Sequence, residues 1–170
     1  MKTMLRTSFI FWLSSAMLSA THAQDTLPTR EQAVAVSSFF DRYESVYLEC
    51  KELQKTPLND SLNLREWSSK FRFACDPNRR TGISIPKNIP SETYDSILRG
   101  IECADILSQE TLQLVQAKLV IDADRTMSEQ DRKAALKLRG ESATSKISTC
   151  MPHVQRVEEI RRQAARAARK

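Results

Sequence analysis

The sequence predicts an all-α fold, a small helical bundle of four to five helices carrying two disulfides. Three observations lead there. Apolar residues recur at three- and four-residue steps through most of the chain, and no useful stretch alternates with the period of two that a strand needs. Glycine occurs only three times in 170 residues, too rarely for a sheet-rich fold with many tight turns. The four cysteines, Cys50, Cys75, Cys103 and Cys150, are even in number and lack the C-x-x-C spacing of zinc sites.

The N-terminus reads as a secretory signal over residues 1–23. Lys2 and Arg6 are basic, residues 9–18 (FIFWLSSAML) form a short apolar core, and Thr21 and Ala23 occupy the −3 and −1 positions of a cleavage site. The apolar run is about half the roughly 20 residues needed to span a bilayer. The expected destination is the periplasm or the exterior, an oxidising compartment where cysteines pair. No stable membrane insertion is expected after cleavage.

A single helical domain is expected over 24–155. Thr29 and Gln32 form a capping-box pattern, and Val36, Phe40, Tyr43, Tyr47 and Cys50 then mark one apolar face to about Leu53. Pro57 and Asn59-Asp60-Ser61 interrupt it, and Leu64, Trp67, Phe71 and Ala74 resume it in a shorter second helix. Residues 76–90 carry three prolines and no helical period, which predicts a long loop with a short extended piece at 83–85. A third helix starts at Pro90-Ser91-Glu92, with Ser108-Gln109-Glu110 resembling a second cap and a possible break. Ser128 and Asp131 open a fourth, which Pro152 interrupts or bends before a basic C-terminal helix or tail over 156–170.

The cysteines can be paired by geometry. If the third and fourth helices form a hairpin turning near 124–128, residues whose numbers sum to about 253 lie side by side, which favours Cys103–Cys150. Cys50–Cys75 follows by exclusion from the three possible connectivities.

Charge narrows the partners. The formal net charge of +5 falls to +3 without Lys2 and Arg6; six basic residues against Glu158 and Glu159 give 156–170 a balance of +4, leaving 24–155 at −1. The domain thus has no overall field to steer a nucleic acid, and no nucleic-acid partner is expected. Within the basic end, Arg161, Arg162, Arg166 and Arg169 are candidate contacts for an anionic surface.

Motifs for chemistry are missing. Counted from Asp122, the glycine and glutamate of a calcium loop are replaced by Met127 and Lys133, and His153 has no nucleophile tied to it by sequence. Carboxylates one turn apart, such as Glu102 and Asp105, are common on exposed helices. The expectation is therefore no enzyme, no cofactor and no metal.

Two features point toward a protein partner. The loop offers Arg79, Arg80, Ile83, Ile85 and Lys87, anchored at Cys75, and Phe40, Tyr43, Tyr47 or Phe73 could supply an exposed aromatic patch. The leading expectation is an exported, non-enzymatic protein-binding module of the immunity-protein or envelope-enzyme-inhibitor type. The second is an accessory component of a cell-envelope assembly whose basic tail contacts anionic polymer or lipid.

Overall fold

The computed structural model describes residues 27, 29–56 and 63–169. The signal expected at 1–23 and the helix interruption expected at 57–62 lie outside them. The described residues form four α-helices and no strand: α1 (Arg30–Gln54), α2 (Leu64–Ala74), a 3-10 turn (Pro77–Arg80), α3 (Ser91–Ala123) and α4 (Glu129–Ala168).

Local chemistry sets the helix starts. The Thr29 side chain accepts from Gln32 N at 3.2 Å, Asn63 from Glu66 N at 3.2 Å, and Ser128 from Asp131 N at 3.1 Å, each satisfying an amide that the first turn leaves unpaired. The Ser128 hydroxyl also donates to the Asp131 carboxylate, a side-chain link within the first turn. The reciprocal half of a capping box does not form at α1, where the Gln32 amide donates across the molecule to Asn88 O at 2.7 Å.

The frame is the α3–α4 hairpin, whose helices of 33 and 40 residues are about 50 and 60 Å long at 1.5 Å per residue. Their register is the one expected: Cys103 and Cys150 are bonded, with Cα atoms 5.2 Å apart. One turn earlier on α3, Gly100 meets Val157 and His153 O so closely that a Cβ would collide with the valine. Neither long helix is interrupted. Ser108 sits inside α3 with its hydroxyl turned back to Ala104 O at 2.9 Å, and α4 remains helical through Pro152. A proline inside a helix costs about 3 kcal/mol. Burial on both sides of it, at Cys150 and Ile160, offsets that cost.

Two apolar clusters hang on this frame. In one, Ala33, Val36, Phe39 and Phe40 of α1 pack with Ile97 of α3 and with Ile160 and Ala164 of α4. In the other, Trp67, Phe71 and Ala74 of α2 pack with Val115 around the Cys50–Cys75 disulfide, whose Cα atoms are 4.9 Å apart. The bonds close segments of 25 and 47 residues, which constrains the unfolded chain by about 3.5 and 4 kcal/mol on the chain-entropy argument.

The stretch expected as a basic helix or tail over 156–170 is helical to Ala168, as the end of α4. Ile160 and Ala164 are fully buried against α1, so the helix is held down well past 156. Small alanines at the i and i+4 steps bury readily, yet by hydropathy they form only a weak stripe.

Candidate functional site

The loop at 76–90 folds inward. Asp76 accepts from Asn78 N at 2.9 Å, Pro77 fills the first position, and the resulting 3-10 turn carries Arg79 and Arg80 to opposite fates. Gly82 then takes φ 93°, a backbone region that a side chain disfavours, and turns the chain toward the core. Ile85 and Ile89 join the first apolar cluster, and Ile83 packs on its edge. No strand forms at 83–85.

Arg80 is consumed internally. Its guanidinium donates to the Tyr43 hydroxyl at 2.6 Å and to the Asp105 carboxylate, and lies 5.4 Å from the Tyr43 ring centroid and 5.5 Å from that of Tyr47. Burial is the main cause that pushes the Tyr43 hydroxyl up to about 12, working against the neighbouring Arg80 charge. The expectation that Arg80 and Ile85 present themselves to a partner is therefore corrected, because the side chains of both are largely buried and brace the loop, while Ile83 is half-buried beside them. Lys87 stays exposed.

Arg79 points outward and meets Phe73. Its guanidinium carbon lies 4.8 Å from the Phe73 ring centroid, and its Nη1 donates to Glu49 at 3.2 Å. Phe73 is 67% exposed, the most open aromatic side chain of the described residues, while Phe40 is buried and Tyr43 and Tyr47 are partly so. Leu48, next to Glu49 on α1, is also exposed. A separate groove of about 290 Å³ lies between the end of α2 and α3, with Phe71, Cys75, Pro77 and Leu112 as its apolar lining. The disulfide at Cys75 fixes the end of α2 from which Phe73 projects.

Two further polar nodes lie within the bundle, and local sequence reading missed both. The Ser108 hydroxyl is within hydrogen-bond distance of Tyr47 at 3.2 Å and accepts from Gln54 at 3.0 Å. Glu110, 4% exposed, receives Arg139 at 2.8 Å and Lys146 at 2.6 Å. The Lys146 hydrogen bond leads the interactions that hold its carboxyl below the usual carboxylate range. Ser108-Gln109-Glu110 is cap-like in composition but buried in fact. Only the hairpin register, which sets Glu110 opposite Ala143 between its two cations, could have shown this.

The C-terminal arginines divide. Arg161 donates to Glu44 of α1 at 2.7 Å and to Glu158 at 2.5 Å, so it ties α4 to α1. Arg162, Arg166 and Arg169 are exposed. His153 borders a shallow cleft of about 340 Å³ with Glu92, Asp95, Arg99 and Arg156, where opposite charges mix. Asp122 pairs with Lys118, and Asp124 accepts from Thr126. Among the described residues no three His, Cys, Asp or Glu side chains converge as a metal site would need, and no helix is long and apolar enough to cross a membrane.

Compared with known proteins, the chain matches no family model, no curated sequence and no solved structure. What is defined is a class: a disulfide-stapled, all-α bundle with an exposed Phe-Arg corner.

Proposed function

We propose that this protein is an exported, non-enzymatic protein-binding module of the immunity-protein or envelope-enzyme-inhibitor type, and that it grips its partner through the Phe73–Arg79 corner. The observation that carries this reading is the exposed phenyl ring of Phe73 with the Arg79 guanidinium laid over it, at the end of a helix pinned by Cys75. Aromatic and arginine side chains dominate binding energy at protein interfaces when they project from a rigid surface. Here the rigidity comes from below, where Arg80, Ile85 and Ile89 lock the loop that carries Arg79. Little ordering cost therefore remains at binding.

The polar clusters support the non-enzymatic part of the reading. Arg80 with Asp105, and Glu110 with Arg139 and Lys146, neutralise each other inside the fold. They have the character of structural ties.

The test is capture of envelope proteins by the exported protein at low and high salt, with mass spectrometry of what is retained. One protein held at high salt in simple stoichiometry, and lost with Phe73→Ala, supports the reading. Capture indifferent to Phe73→Ala and Arg79→Ala moves the binding surface elsewhere.

A further inference from the structure

The last two turns of α4 carry a second surface, independent of the Phe73 corner. Arg162, Arg166 and Arg169 follow i, i+4, i+7 spacing, so they share one face, rising about 6 Å and then about 4.5 Å along the helix. All three are exposed, and no acidic side chain among the described residues lies in ion-pair distance of them. Their neighbours differ: Arg156 pairs with Glu159, and Arg161 with Glu44 and Glu158. Arg162 uses its Nε on Glu158 O at 3.3 Å, which leaves its two terminal nitrogens for a carboxylate. Because Ile160 and Ala164 are buried, this stretch of helix is in place before anything binds.

We propose that Arg162, Arg166 and Arg169 dock an acidic helix of a partner protein, one presenting carboxylates at matching i, i+4, i+7 spacing. Charge complementarity at the same repeat lets each guanidinium meet one carboxylate. Ala165, one turn from both Arg162 and Arg169, borders the row with a short, partly exposed side chain, so a helix backbone can approach closely there. That same stretch holds no long apolar or aromatic side chain to enter a bilayer, and a flexible anionic polymer has to be ordered to follow the row.

The probes are two synthetic alanine-based helical peptides of identical composition, one with glutamates at i, i+4, i+7 and i+11, the other with the same glutamates distributed around the helix. Vesicles of phosphatidylcholine with phosphatidylglycerol as the minority lipid form the third arm. The exported protein should bind the one-faced peptide about tenfold more tightly than the distributed one. R162A/R166A/R169A should abolish that preference, while R65A/R125A/K137A, a control of equal charge change at exposed positions elsewhere, retains it. Circular dichroism checks that both variants fold. Equal binding of the two peptides, or a preference that survives the triple change, overturns the proposal. Stronger binding to the vesicles than to the one-faced peptide overturns it in favour of a lipid surface. None of these outcomes involves Phe73 or Arg79, so the two surfaces stand or fall separately.

Discussion

Arg80 on the 3-10 turn and Asp105 on α3 are joined across 25 residues of sequence by a charged hydrogen bond, with the Arg80 side chain 9% exposed. This tie makes the loop part of the scaffold. Breaking a buried pair from one side leaves the other charge unpaired, which costs about 3 kcal/mol. Arg80→Ala should therefore lower the unfolding free energy by about that much in urea titration. Arg79→Ala, whose Glu49 partner is exposed, should change it by less than about 1 kcal/mol.

Tyr43 offers a spectroscopic reading of the same cluster. Its hydroxyl is raised from 10.0 to about 12, chiefly by burial. A raised folded value means that the fold favours the protonated phenol. That contribution is complete below pH 10 and is lost as pH climbs toward 12. Absorbance titration at alkaline pH should contain a late component near 12 that disappears in Tyr43→Phe.

Glu110 gives the opposite sign. Its carboxyl is held below the ordinary 4.5, first by the Lys146 hydrogen bond and then by Arg139, against the cost of burial. Its contribution is present above pH 4.5 and drains away as pH falls through the lowered value. Glu110→Gln should flatten stability against pH in that acid range. At neutral pH the loss should be about 2 kcal/mol, below the range for a fully buried pair, because Lys146 can rehydrate.

The two interior helix glycines should respond in opposite directions to alanine. A Cβ at Gly100 meets Val157, so Gly100→Ala should cost about 1–3 kcal/mol through overpacking of the hairpin. At Gly140 nothing lies within 4 Å, and Gly140→Ala should gain up to about 1 kcal/mol from helix propensity. Paired thermal melts of the two variants check this contrast.

Much of the architecture was legible before the structure. Helical spacing located α1 to α4, the Thr29 and Ser128 caps marked two starts, and the hairpin register paired Cys103 with Cys150. What was not legible depended on partners distant in sequence. Ser108 and Glu110 look like a cap because caps and buried polar residues share the same side chains; their partners lie 61, 54, 29 and 36 residues away. Arg79 and Arg80 are adjacent and chemically identical, yet the turn sends one outward and one inward. Phe73 and Arg79 both stood among the candidates, but only the folded chain stacks them.

The most direct measurement of the central claim is the affinity of the captured partner for the wild-type protein and for Phe73→Ala. The exposed ring carries little of the fold, so the substitution should leave the melting temperature nearly unchanged, within about 0.5 kcal/mol of stability. Binding should weaken by at least about 2 kcal/mol, or roughly thirtyfold in Kd. An unchanged Kd with an intact fold would contradict the account.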